Sequence, residues 1–201
     1  MRELKMLDGI DFNAELRNLP YAILDLETTG IDHRSDGITE FAAILYERGK
    51  TETFEQLINP EMPIPQAVAD ITGITDAMVA GEPNFAEVAP VIHNLLEKRV
   101  FVSHNVPFDR GFLQFNLRRA ISKTLETPSI CTLKLSRAML GLRSNKLENV
   151  LRHFGKKLEG AHRAMNDTEG VKDLLLEFFT ILEGKGLRTL SDLARERLLI
   201  Y

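Results

Sequence analysis

The stretch Tyr21-Ala22-Ile23-Leu24-Asp25-Leu26-Glu27-Thr28-Thr29-Gly30 decides how this chain of 201 residues folds. Pro20 punctuates its entry, and residues 21–27 read as a central β-strand, apolar until the acids begin. Side chains alternate along a strand, so Asp25 and Glu27 share one face while Ala22, Leu24 and Leu26 take the other. Two like charges at the end of a buried strand repel and lose hydration, which calls for a cation between them. The alternative is a strand that simply emerges into solvent there. Thr28, Thr29 and Gly30 then turn the chain tightly and offer N–H groups to a hydroxyl or phosphate.

Working outward, residues 38–47 and 51–58 form a hairpin about Arg48, Gly49 and Lys50, which implies antiparallel pairing. After the proline-bearing loop 59–66 and the segment 71–75, the period becomes helical: Phe85, Val88, Val91, Ile92, Leu95 and Leu96, opened by an Asn84/Glu87 capping box. A short strand at 100–103 leads through residues 104–107 into a helix with Phe108, Phe112, Phe115 and Leu117. Cys131 lies near another short strand, followed by a helix over about 132–140 and one opened by Asn145, with Glu148 at capping-box spacing and Gly155 closing it. Ala164, Thr168, Val171, Leu175, Phe178 and Leu182 mark a last long helix that ends near Gly184 and Gly186. A meander followed by strands alternating with helices predicts an α/β fold: a mixed five-stranded sheet with helices on its faces. Residues 1–19 are expected to be peripheral, 20–184 to form the domain, and 185–201 to be a short helix or docked tail.

Composition narrows the function. With 44% hydrophobic and 27% charged residues, the chain is neither disordered, collagen-like nor a repeat array. The single Cys131 excludes an internal disulfide and a thiolate metal site. No apolar run approaches 18 residues, so a soluble cytoplasmic protein with no membrane partner is expected. The net charge of −4 argues against a polyanion-binding surface, but its distribution reverses that impression. Residues 1–97 hold 6 basic and 18 acidic side chains, 98–163 hold 14 and 4, and 164–201 hold 5 and 7. The basic third includes Arg110, Arg118, Arg119, Lys123, Lys134, Arg137, Arg143, Lys146, Arg152, Lys156, Lys157 and Arg163. Those cations form either a footprint for nucleic acid or a set of solvated helix faces.

Two more acids stand at element ends. Asp109 falls in the first turn of the helix after Pro107, where a favourable helix-terminus charge is an equally good explanation. His162 and Asp167 are five residues apart, roughly 140° out of phase on a helix, so joint use places His162 in the preceding loop. Asp167 shares a stripe with Val171, Leu174 and Phe178, and a core-side acid needs a partner. His33, His93 and His153 have no such company, and the last two read as surface residues.

Together the segments LDLETTG (24–30), HNVPFDRGFL (104–113) and HRAMND (162–167) resemble the three exonuclease motifs of the DEDDh 3′–5′ exonucleases. More narrowly, they are similar to the proofreading exonuclease of bacterial DNA polymerase III, the epsilon subunit or the PolC exonuclease domain. The likeness extends over roughly 19–182 and includes ITGIT (71–75) and CTLKLSR (131–137).

The resemblance implies an RNase H-like exonuclease fold, in which Asp25, Glu27, Asp109 and Asp167 hold two divalent ions and His162 is the general base. Two hard ions about 4 Å apart clamp the attacking and departing oxygens of a phosphodiester, and oxygen ligands suit Mg²⁺ or Mn²⁺. The backbone of Thr28, Thr29 and Gly30 is expected to position the terminal 3′-hydroxyl. Thr72 and Ile74 are expected to pack near the terminal base, with His104, Asn105 and Phe108 beside the substrate. The function so implied is metal-dependent 3′–5′ hydrolysis of single-stranded or frayed DNA ends, releasing nucleoside monophosphates in proofreading or repair. The competing expectations are an exoribonuclease resembling oligoribonuclease or ribonuclease T, and a non-catalytic nucleic-acid-binding scaffold. An RNase H-type endonuclease is disfavoured by a histidine five residues before the final acid. Epsilon subunits carry a polymerase-binding tail, often with a clamp-binding motif. About nineteen residues follow Leu182 here without one, so a DNA polymerase partner is an open expectation, for a stand-alone enzyme or an excised domain alike.

Overall fold

A computed structural model describes residues 6–158, 160 and 162–200. After a small ribbon of β1 (Met6–Leu7) and β2 (Ile10–Asp11), the main sheet begins with β3 (Tyr21–Thr28). β4 (Ile38–Glu47) and β5 (Lys50–Leu57) form the expected hairpin. Helices α1 (Gln66–Thr72), α2 (Asp76–Val79) and α3 (Phe85–Leu96) precede β6 (Val100–Ser103) and α4 (Val106–Ile121). Then come β7 (Ser129–Cys131), α5 (Thr132–Met139), α6 (Leu147–His153), the long α7 (Ala164–Gly184), α8 (Leu190–Arg195) and β8 (Leu199–Ile200). No helix among the described residues is long and apolar enough to cross a membrane.

The sheet has six strands in the order β5-β4-β3-β6-β7-β8, one more than the five expected. The additional edge is β8, which pairs antiparallel with β7 at Ser129↔Ile200 and Ile130↔Leu199. β3 pairs antiparallel with β4 along its whole length but parallel with β6 only at Tyr21, Ala22 and Ile23. The edge of β3 that carries Asp25 to Thr28 is therefore open on the β6 side.

Alternation along β3 sorts the core into two layers. Tyr21 and Ile23 pack with Val171, Leu174, Leu175 and Phe178 of α7, while Ala22, Leu24 and Leu26 pack with α3 and α4. Asp25 and Glu27 continue the row that starts at Tyr21, so they lie on the α7 side. The Asn84/Glu87 capping box of α3 forms in both directions. The one expected at Asn145/Glu148 does not: Lys146 is the N-cap of α6, and Asn145 hydrogen-bonds with Ser136 and Leu142 instead.

The leader is not peripheral. Ile10, Phe12, Leu16 and Leu19 are buried in the α7-side layer. Leu16 N donates to Arg188 O (2.8 Å) and Ser191 N to Phe12 O (3.0 Å), tying the two ends of the chain together. Apolar residues before Pro20 gain their burial from this contact with the tail, which no local periodicity announces.

Candidate active site and metal centre

Carboxylate oxygens of Asp25, Glu27 and Asp167 lie within 4.8 Å of one another. Strand alternation supplies the first two, and the third comes from the first turn of α7, which packs across that face of β3. Asp109, in the first turn of α4, lies outside this 4.8 Å set yet close enough for its charge to act on Asp25.

Burial, followed by the charges of Asp109, Asp167, Glu27 and Glu40, holds the Asp25 carboxyl far above the usual range. Burial and then Asp167, Glu40 and Asp109 push Glu27 up to about 8, with Arg163 opposing them. Asp109 is pushed up to about 7 by burial, against the pull of Ser103 and the Leu26 N–H. Ser103 Oγ makes no well-formed hydrogen bond, so its effect on Asp109 is one of proximity. Asp167 is also raised by burial, although the His162 backbone N–H, 3.4 Å from its Oδ2, pulls the other way.

These shifts decide between the readings left open by the sequence. Asp25 is half-buried and faces Glu27 and Asp167 at the strand end. Keeping Asp109 buried costs on the order of 4 kcal/mol, against 0.3–1 kcal/mol from a helix terminus, so the helix does not explain that acid. Asp167 Oδ1 is buried with no hydrogen-bond partner. An oxygen-only donor set converging on an orphaned carboxylate oxygen fits a hard divalent cation.

A consequence for stability follows. The unfolded chain ionises these carboxyls near pH 4–5, whereas the folded metal-free chain keeps protons on Asp109 to about 7 and on Glu27 to about 8. Between those limits the folded state binds more protons, so metal-free stability should fall as pH rises from about 4.5 to about 8. Mg²⁺ or Mn²⁺ at about 100 times its Kd should restore about 2.7 kcal/mol, or roughly 5–10 °C in Tm. Thermal melts in EDTA and in metal across this range check it, and a flat metal-free profile would contradict the burial of these acids.

His162 sits exposed at the rim with φ of +67°. A non-glycine residue pays roughly 1–2 kcal/mol for left-handed backbone, so the surroundings must hold it there. The His162 backbone N–H donates to Asp167 Oδ2, and Glu40 of β4, with 0% exposure, anchors the two residues that follow His162. Its carboxylate accepts from Arg163 Nη2 (2.7 Å), from Arg163 Nε (3.2 Å) and from the Ala164 backbone N–H (2.9 Å). Glu40 also stands directly opposite Glu27 in the ladder, and the Arg163 guanidinium offsets that like-charge pair. The sequence reading missed Glu40 and Arg163 as site residues. The available signal was a glutamate inside the apolar run ITEFAAIL, which a doubly covered strand tolerates only with a partner.

The residues expected around the substrate fare unevenly. Thr28 Oγ1 donates to Gly30 O (2.6 Å), and Thr29 N donates to Gly37 O (2.8 Å), so the Thr29 N–H is not free. The Gly30 N–H has no hydrogen-bond partner among the described residues, and a Cβ there would lie 2.3 Å from the Asp36 carboxylate. Thr72 Oγ1 is engaged by Val68 O and the Ile74 N–H. Ile74 has 0% exposure and packs with Ile64 and Val79, so it offers no surface to a base. Ile31 (89%), Ile71 (60%) and Met62 (37%) are among the exposed large apolar residues, and Met62 Sδ lies 3.5 Å from Thr29 Oγ1.

His104 is likewise committed internally. Its Nε2 contacts Asn145 O (2.9 Å), which only accepts, so Nε2 carries the proton and Nδ1 accepts from Thr132 Oγ1 (2.9 Å). Burial lowers its pKa, consistent with a neutral ring. Asn105 is exposed without a side-chain cap bond, and Phe108 is part-exposed against Phe112 at 5.0 Å between centroids.

The chain is similar to known proteins along most of its length. Residues 22–175 match the family model described as Exonuclease. The chain is 33% identical over 184 residues to a DNA polymerase III subunit epsilon of Aquifex aeolicus, covering 90% of this chain and 87% of that protein. It is 30% identical over 189 residues to a PolC-type DNA polymerase III of Thermotoga petrophila, covering 94% of this chain but only 14% of that much longer protein. Among solved structures, Exonuclease X in complex with 5' overhanging duplex DNA superposes with a TM-score of 0.65 at 26% identity, covering 80% of this chain and 92% of that one. The nuclease domain of 3'hExo, a DEDDh family member, bound to rAMP, shares the fold at a TM-score of 0.71 and 18% identity, over 84% and 95% of the chains. On the family model that spans most of its length and the relative matched along nearly all of both chains, the chain belongs to the exonuclease family.

Proposed function

We propose that the protein is a metal-dependent 3′–5′ exonuclease that removes nucleoside 5′-monophosphates from single-stranded or frayed DNA ends. The observation that carries this is the convergence of Asp25, Glu27 and Asp167 about an unpartnered buried carboxylate oxygen, with an exposed imidazole one loop away. Two Mg²⁺ or Mn²⁺ ions held by these acids and supported by Asp109 would lower the pKa of water and stabilise charge on the departing 3′-oxygen.

The chain's own residues do the rest. His162 takes the proton of the attacking water as its oxygen bonds to phosphorus, the P–O3′ bond breaks, and the 3′-oxygen acquires a proton from solvent. The free Gly30 N–H meets the terminal sugar or phosphate. Phe108 and Ile31 offer part-exposed and exposed apolar surface for base stacking, which tolerates any sequence. Ile74, being buried, has no place in this arrangement. The polymerase III relatives support a proofreading or repair role beside a polymerase.

Digestion of matched 5′-labelled DNA and RNA oligomers, with and without EDTA, tests the reading. Progressive shortening from the 3′ end of DNA, stopped by EDTA, is expected. Internal cuts, or activity in EDTA, would refute it, and faster loss of RNA would favour the exoribonuclease.

A further inference from the structure

Only some cations of the basic middle third are committed to partners. Arg110 is spent on Leu125 O, Thr127 O and Ser129, Lys134 on Leu199 O, and Arg152 on Glu148. Lys156 pairs with Asp173 and Glu177, and Arg163 with Glu40 and Glu55. Arg137, Arg143 and Lys146 are exposed and have no hydrogen bond or ion pair among the described residues, yet all three line one open cavity of about 510 Å³.

Its position matters. His104 and Asn105 form another part of the same wall, and Asn105 O accepts from Asp109 N, one helical turn, about 5.4 Å, along α4. The loop that carries Arg143 and Lys146 is tethered from beneath: Asn145 O accepts from the His104 ring, and Asn145 Oδ1 from Ser136. The cations are thus presented from fixed backbone instead of a free loop. Three unpaired cations held together repel one another, and a polyanion relieves that repulsion by displacing counterions.

We propose that Arg137, Arg143 and Lys146 form a phosphodiester-binding subsite for the nucleotides inboard of the one being removed. This rests on the exonuclease reading above and adds to it the path of the strand away from the acids. The subsite reads charge and not sequence, and it matters only for substrates long enough to reach it.

The test uses the full chain with Arg137→Gln, Arg143→Gln and Lys146→Gln combined, and a control, Arg118→Gln with Lys157→Gln, that removes charge elsewhere. The p-nitrophenyl ester of thymidine 5′-phosphate has no inboard phosphate, and its turnover should be the same in all forms. For a single-stranded oligonucleotide, the triple variant should raise KM by about 10-fold or more, with the slope of log KM against log salt reduced by about 2, while the control changes little. Anisotropy titration of the oligonucleotide in EDTA gives a readout independent of hydrolysis, and the triple variant should bind about 10-fold more weakly or worse. Unchanged KM, salt slope and Kd in the triple variant, or an equal effect in the control, overturns the subsite. Wild-type protein that binds through these three cations but cleaves neither substrate would sink the exonuclease reading and leave the subsite standing.

Discussion

Asp167→Asn should abolish cleavage with either Mg²⁺ or Mn²⁺, a loss of roughly 10³-fold or more, while leaving the metal-free protein at least as thermostable as the parent. The two halves of this prediction have one cause. Ionised Asp167 is disfavoured by burial, and its Oδ1 has no partner, so the charge contributes nothing to folding that an amide of the same shape would lose. Its helix-terminus benefit is at most about 1 kcal/mol. An asparagine Nδ2 can instead donate to the neighbouring carboxylates of Asp25 and Glu27, which lie within 4.8 Å. What the substitution removes is a ligand. The rise in Tm on adding metal should therefore shrink together with activity, and Asp25→Asn should behave in the same way. A structural acid would do the reverse, losing stability and sparing catalysis. Full activity in either variant, measured on 5′-labelled DNA, would refute the ligand assignment.

The same physics separates what is legible in the sequence from what is not. Alternation along residues 21–27 is local, and it placed Asp25 and Glu27 on one face correctly because β3 is a central strand covered on both sides. Asn84 and Glu87 form their capping box because the only other bond of the Asn84 side chain among the described residues, from Nδ2 to Glu61, leaves Oδ1 free to accept from the Glu87 N–H. Asn145 and Glu148 had the same spacing, but Asn145 is drawn to Ser136 and its carbonyl to His104, a partner 41 residues away. The sixth strand is two residues long and has no period to detect; only its pairing with β7 makes it a strand. Ile74 was expected at the substrate because of its neighbours in ITGIT, yet Gly73, with φ of +72°, turns the chain so that Ile74 packs inward and Ile71 stays outside. Glu40 was legible in principle. A charge in a buried apolar run announces a partner, but not which one, and Arg163 lies 123 residues downstream.

That distant pair sets up the second large effect. His162→Asn should lower kcat by about 10²- to 10⁴-fold, the scale of a lost general base. Asparagine is the informative replacement because it tolerates the left-handed backbone recorded at this position, φ +67°, so the loop should keep its shape and the loss reports the imidazole. Glu40→Gln then asks what holds that imidazole in place. The amide keeps an acceptor for the Ala164 N–H but removes the charge that grips Arg163, at a cost of about 1–3 kcal/mol, moderated because the Arg163 side chain is 42% exposed and can rehydrate. If Glu40 acts by fixing the His162 loop, Glu40→Gln should slow the wild type by about 10-fold yet add almost nothing to His162→Asn, since a base already absent cannot be misplaced. Losses that multiply in the double variant would instead place the effect of Glu40 on the start of α7, and hence on Asp167, because both ride on the same hydrogen bond to the Ala164 N–H.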